Sequence, residues 1–194
     1  MQYVILADRF ALAVVLGAAC AAKLRTLSIF RRFANSIERL ARLPPVPALV
    51  IAGTVVLAEG AASVLLVLPW TGRLGLMLAG GLMLMFVAVV IRGAAAGGLV
   101  AECRCFGGPA VMGLTMVFRN VVLFAAALAG LVLGPAGPAG HPGYAAVAIV
   151  AGCGAAAAFM RYYGPLLKLV TRRIIRPAAQ GASTGPRPAE PGSR

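Results

Sequence analysis

The amino-acid sequence predicts an all-α membrane protein, a polytopic bundle of helices that cross the bilayer. Of the 194 residues, 61% are hydrophobic and 12% are charged, whereas a soluble domain carries about 25% charged residues. The apolar residues also fall in long blocks, and about 18 consecutive apolar residues suffice for a membrane-spanning helix. Little of the chain is left for a separate soluble domain.

Five apolar blocks are candidates for membrane spans, because a core about 30 Å thick needs about 20 helical residues. We expect the spans at about 3–22, 46–68, 74–91, 111–133 and 144–160. Residues 69–72 form a tight turn between the second and third spans. The predicted organisation is a four-helix core over 1–134, a hairpin and fifth span over 135–161, and a basic interfacial segment with a disordered tail over 162–194. The tail is expected to begin at Pro177.

Residues 27–43 do not have the composition of a membrane-spanning helix. Phe30, Phe33, Ile37 and Leu40 recur at helical spacing, and arginines lie between them. This pattern predicts an amphipathic helix on the membrane surface. Residues 162–176 repeat the pattern and carry the same expectation.

The net charge of +13 is concentrated beside the apolar blocks: six of the 18 basic residues lie in 23–45 and seven in 161–194. Basic residues in such places set topology or contact anionic lipids, so the charge does not indicate nucleic-acid binding. With five spans, the basic loops share one side. The positive-inside rule then predicts an outer N-terminus and a cytoplasmic C-terminus in a cell membrane.

The sharpest motif is a pair of thiols, Cys103 and Cys105, separated by Arg104. Such a pair can close a small, strained disulfide that is easily reduced, and Arg104 can stabilise a thiolate. The alternatives are two inert, reduced cysteines or a metal site. Two thiols are too few for a closed metal site, and the only histidine, His141, lies in the opposite hairpin. Cys20 and Cys153 are expected to pack as small hydrophobes inside their spans.

Glu59 lies in the middle of the second span, where a charge costs about 2.5–3.5 kcal/mol on insertion scales and usually has a partner. We expect that partner to be Arg119 in the fourth span, with Asn120 beside it. A structural ion pair and a proton-handling site are both compatible with this arrangement. Asp8 and Arg9 are expected at the interface. Lys23 is expected to snorkel toward it and is grouped with Glu59, Arg119 and Asn120 as a structural or ion-pair residue.

Several short sequences together resemble the MauE (methylamine utilisation protein) branch of the MauE/DoxX-like redox-associated membrane proteins. They occur in roughly residues 5–130: 21–25 (Ala-Ala-Lys-Leu-Arg), 57–59 (Leu-Ala-Glu), 91–93 (Ile-Arg-Gly), 103–107 (Cys-Arg-Cys-Phe-Gly) and 118–120 (Phe-Arg-Asn). The Cys-x-Cys-Phe-Gly element is the specific one. The family more often has glycine between the cysteines, where this chain has Arg104. This difference is expected to alter the pKa of the two thiols.

The resemblance implies a helical bundle that assists thiol–disulfide chemistry in partner proteins, with Cys103 and Cys105 as the redox pair. It implies a thioredoxin-like partner or a disulfide-bearing client. No cofactor is evident in the sequence, and a quinone is suggested only by analogy with vitamin K epoxide reductase, which has a similar plan. Two other functions are compatible with the chain: a non-enzymatic assembly subunit of a membrane complex, and a small-solute transporter in which Glu59 couples transport.

Overall fold

The structure, a computed structural model, describes residues 2–95, 112–134 and 142–180, and the regular elements in these ranges are helices. The helices are α1 (Gln2–Leu24), α2 (Leu27–Ala41), α3 (Pro45–Val67), α4 (Gly72–Ala95), α5 (Met112–Val132) and α6 (Pro142–Gln180). Each of the five predicted apolar blocks corresponds to a helix, although the second block ends one residue past α3 and the fourth one residue past α5. The predicted all-α bundle is therefore confirmed.

Four stretches in the described ranges are long and apolar enough to cross a membrane: Gln2–Leu24, Pro45–Val67, Gly72–Arg92 and Gly143–Tyr163. Helix α5 adds a shorter apolar stretch, Val117–Val132. Large apolar side chains on the outside of the bundle are widely exposed, for example Leu57 and Val150. Such exposure is unfavourable in water but suits a lipid environment.

Contacts between the helices define two ends of the bundle. The Arg9 side chain of α1 reaches the last carbonyls of α3, so these helices are antiparallel. The Tyr3 and Tyr144 rings, near the starts of α1 and α6, are 5.7 Å apart. The end that holds these residues and the turn at 68–71 is called the turn end, and the opposite end, which holds α2, is called the α2 end.

Helix α2 begins and ends at clear local signals. The side chain of Thr26 accepts a hydrogen bond from the backbone N–H of Ile29 at 3.3 Å, which caps the helix start. Arg42, with φ of 51°, adopts the left-handed conformation that commonly ends a helix. Pro45 then fits the first turn of α3, where its missing N–H is not needed.

Helix α2 packs onto the bundle instead of lying only on lipid. Phe33 and Ala34 are buried against Ala52, Val55 and Val56 of α3. The predicted amphipathic helix is present, two residues shorter than expected, and its apolar face covers protein. The α2 end of the bundle therefore contains an extra helical layer that the turn end lacks.

Helix α6 runs without a break from Pro142 to Gln180. At about 1.5 Å per residue, its 39 residues extend about 58 Å, nearly twice the thickness of a bilayer core. The fifth span and the basic segment therefore form one helix. The predicted tail begins at Pro177, and the helix continues three residues past it.

Candidate functional site

A buried ion pair joins α1 to α3. The ammonium of Lys23 donates to both carboxylate oxygens of Glu59, at 2.6 and 2.7 Å. The two side chains are 3% and 2% exposed. The Lys23 nitrogen also lies 5.1 Å from the centre of the Phe33 ring and 5.9 Å from that of Phe86, distances at which an aromatic face attracts a cation.

The geometry of antiparallel helices explains why these two residues meet. Hydrogen bonds place Ser63 opposite Ala13 and Val56 opposite Cys20, which sets Lys23 opposite position 53. Glu59 is six residues further along α3, about 9 Å away. Side chains lean toward the start of their own helix. Because α1 and α3 run in opposite directions, Lys23 and Glu59 lean toward each other and close that distance.

Two predictions about these charges are therefore corrected. Lys23 was expected to snorkel to the interface, but it is buried because α3 extends past the end of α1 and α2 covers the gap. Glu59 was expected to pair with Arg119, but the group that hydrogen-bonds its carboxylate is Lys23. The positive charge of Arg119 still attracts the Glu59 carboxylate from α5, so the two residues belong to one cluster.

The ion pair lines a cavity of about 210 Å³ between α1, α2, α3, α4 and α5. Arg119 and Asn120 line it as well, and Asn120 is buried. Most of the remaining wall is apolar or aromatic. Lys23, Glu59, Arg119 and Asn120 thus form a polar base inside an otherwise apolar chamber, and we call this group the polar base.

The cavity is partly open, and part of its wall lies on the apolar outer surface of the bundle. Ile51 of α3 and Met85 and Val89 of α4 line it and are 38%, 39% and 37% exposed. Lys23, Glu59 and Asn120 of the polar base are, by contrast, almost fully buried. The wall therefore extends from the apolar outer surface to buried hydrogen-bonding groups.

The predicted redox residues Cys103, Arg104 and Cys105 lie outside the described residues. Their position in the chain still matters, because they belong to the segment that joins the end of α4 to the start of α5. Both of these helix termini are at the α2 end, and both helices line the cavity. Val90 is five residues before the end of α4, about 8 Å along the axis, and Asn120 is eight residues after the start of α5, about 12 Å.

The other two cysteines are half-buried and form no disulfide in the described part of the chain. Cys20 packs beside the Phe33 cluster, and its thiol donates a weak hydrogen bond to the carbonyl of Val56 at 3.5 Å. Cys153 lies next to Gly152, which contacts α1 near the turn end. The two thiols are therefore in different halves of the bundle.

Arg9, which is expected at the membrane interface, is buried within the protein at the end of α3. Its guanidinium donates to the carbonyl of Leu66 at 2.9 Å and to that of Leu68 at 2.8 Å. These carbonyls belong to the end of α3, where the helix dipole is negative and backbone acceptors lack helical partners. Arg9 therefore caps α3 and serves structure at the end far from the cavity.

These features define a class: a polytopic helical membrane protein whose bundle encloses a charged, lipid-accessible chamber. The family model of methylamine utilisation protein MauE matches residues 1–133. Because the match covers more than half of the chain, the protein belongs to the MauE family, as the Cys-x-Cys-Phe-Gly element predicted. The match includes α1 to α5 and leaves α6 outside. No protein of curated function and no solved structure matches the chain.

Proposed function

We infer that this protein is a membrane thiol–disulfide redox protein, in which Cys103 and Cys105 exchange a disulfide with partner proteins. The observation that carries the proposal is the place of the Cys-x-Cys segment in the chain. The Cys-x-Cys segment connects α4 to α5, two of the helices that line the cavity, and the two helix termini that it joins are at the α2 end, as is the polar base. A scaffold needs no thiol pair in the segment between two such helices.

The exchange has balanced chemistry. A thiolate of the reduced partner attacks the Cys103–Cys105 disulfide, forms a mixed disulfide and releases the other cysteine as a thiolate. A second thiolate of the partner then attacks the mixed disulfide. The partner leaves oxidised, and Cys103 and Cys105 each retain a thiol. Run in reverse, the same steps reduce the partner.

The other site residues have supporting roles in this proposal. Arg104 stabilises the thiolate form of its neighbours, because a positive charge favours the anion. Lys23 and Glu59 fix α1 against α3, and Arg119 and Asn120 complete the polar base from α5. The partner class is a thioredoxin-like protein or a disulfide-bearing client, and the protein resides in a cell membrane with its C-terminus in the cytoplasm.

Trapping the mixed disulfide tests the redox role. We expect Cys103→Ser and Cys105→Ser each to abolish disulfide exchange in intact membranes, because each removes one of the two sulfurs that the cycle needs. We also expect one of the two variants to accumulate a covalent adduct with a thioredoxin-like partner, visible as a band on a non-reducing gel that disappears with reductant.

Cys153→Ser is the matched control, since Cys153 lies in the other half of the bundle, and it should behave as wild type. If the double variant of Cys103 and Cys105 keeps wild-type function, the redox proposal fails. Loss of function from Glu59→Gln with tolerance of both serine substitutions would favour an assembly role. Flux of a solute in liposomes that depends on Glu59 would favour transport.

Reaction with a membrane-impermeant thiol reagent tests the proposed orientation. With a cytoplasmic C-terminus, Cys103 and Cys105 react in inverted vesicles and not in intact cells. Labelling in intact cells alone would reverse the topology.

A further inference from the structure

The cavity itself has a composition that selects one kind of ligand. It combines buried hydrogen-bonding groups at the base, two aromatic rings from different helices (Phe33 of α2 and Phe86 of α4), and an apolar mouth on the lipid-facing surface. A purely structural cavity in a membrane protein has no need of an exposed mouth. A water-filled polar pocket has no need of aromatic walls.

The size of the cavity restricts the ligand further. Pockets that enclose a whole drug-sized molecule are about 300–1,000 Å³, and this one is about 210 Å³. It has room for a single ring with small substituents. Any longer part of the ligand must leave through the mouth formed by Ile51, Met85 and Val89, where it meets lipid.

The polar base favours a head group that accepts hydrogen bonds. The Asn120 amide and the Lys23 ammonium are donors, and Arg119 adds further donors and positive charge. The Glu59 carboxylate balances one of these two positive charges and is already hydrogen-bonded to Lys23. A head group with carbonyl oxygens accepts hydrogen bonds from the donors of the polar base, and a flat ring packs against the phenyl side chains.

We propose that this cavity is a binding site for a lipid-soluble quinone, with the ring against Phe33 and Phe86, a carbonyl oxygen at the polar base, and the isoprenoid tail leaving between α3 and α4. This proposal rests on the proposed function, because the bound quinone would accept the electrons that thiol oxidation releases. When a dithiol closes to a disulfide, two S–H bonds break and one S–S bond forms. A bound quinone takes up the two electrons and two protons and becomes a quinol.

Binding is measured on the full-length protein in phosphatidylcholine nanodiscs, by calorimetric titration with decylubiquinone. We expect saturable binding of one molecule per chain. Val90→Trp places an indole in the cavity, so we expect it to weaken binding about tenfold or more. Val121→Trp is the matched control, because Val121 neighbours Asn120 but is exposed and does not line the cavity. It should bind as wild type.

Asn120→Leu provides a second measurement that does not depend on filling the cavity. It keeps the side-chain size and removes the amide, and the loss of one hydrogen bond weakens binding about three- to tenfold. Absence of saturable binding to wild type, or wild-type binding by both Val90→Trp and Asn120→Leu, would overturn the proposal. Decanoic acid that binds as tightly, with the same dependence on Val90, would also overturn it in favour of a carboxylate site.

The double variant Cys103→Ser, Cys105→Ser separates this inference from the proposed function. It keeps every described residue of the cavity, and we expect it to bind decylubiquinone as wild type does. Binding without thiol exchange in the wild-type protein would sink the redox proposal and leave the quinone site standing. Thiol exchange without quinone binding would sink the quinone site and leave the redox proposal standing.

Discussion

The two halves of the bundle are built in different ways. In the half near the turn end, backbones pack almost without side chains between them: a Cβ on Gly75 would lie 2.8 Å from the backbone nitrogen of Leu66, and one on Gly152 would overlap the carbonyl of Ala7. In the half near the α2 end, the helices separate enough to leave the cavity. Small residues hold the first half together, and a buried ion pair stabilises the second.

The closest helix packing and the candidate functional site therefore lie in separate halves of the protein. Close contact of small residues gives strong van der Waals packing in lipid, where the hydrophobic effect does not drive helices together. A cavity gives up such contacts and lowers stability. The Lys23–Glu59 bond fixes α1 against α3 where packing is incomplete.

The largest expected effect comes from removing one charge of the buried pair. Glu59→Gln leaves the Lys23 ammonium buried without its counter-charge, and breaking such a pair costs about 3–5 kcal/mol. Unfolding by denaturing detergent, followed by circular dichroism, should show this loss of stability.

The double replacement Lys23→Met, Glu59→Met is the control, because it removes both charges and keeps the volume. Exchange of a buried ion pair for apolar residues is often neutral or stabilising, so the double variant should be more stable than Glu59→Gln. If the two variants unfold alike, the uncompensated charge of Lys23 is not the cause of the lost stability.

A smaller effect is expected from a single methyl group in the tightly packed half. Gly152→Ala forces its Cβ against the backbone of Ala7, so α1 and α6 must move apart, at a cost of about 1–3 kcal/mol. The same unfolding measurement applies.

Gly154→Ala makes the identical change two residues away, where nothing lies within 4 Å. It should leave stability unchanged or raise it by up to about 1 kcal/mol, because alanine favours helix more than glycine does. Equal destabilisation by both variants would show that the α1–α6 contact is not close.

The smallest expected effect tests a hydrogen bond between helices. The Ser63 hydroxyl donates to the carbonyl of Ala13 at 2.8 Å, and such bonds in membrane proteins average about 0.6 kcal/mol. Ser63→Ala should lower the unfolding free energy by about that amount. Ser36→Ala, which loses only a bond to Arg32 within its own helix, should have less effect; a larger loss would contradict this assignment.

Much of the fold was predictable because it depends on local composition. Long apolar blocks became helices, the turn at 68–71 followed from Pro69 and Gly72, and the spacing of Phe30, Phe33 and Ile37 correctly placed an amphipathic helix. Glu59 was also recognisable as a site residue, because a carboxylate in the middle of an apolar span needs compensation. Lys23 was predicted to belong to the ion-pair group, although no sequence pattern pairs it with Glu59.

The class of protein, its helices, its family and the thiol motif are all legible in the sequence, since these depend on residue type and short spacing. Which charges meet depends instead on the tertiary structure. Lys23 reaches Glu59 because α1 and α3 are antiparallel with a particular register, and Arg9 is buried because α3 ends beside it. Register arises from packing between distant segments, and no periodicity within one segment encodes it. The cavity exists for the same reason, because α2 folds back against α3 and closes a chamber that no single helix contains.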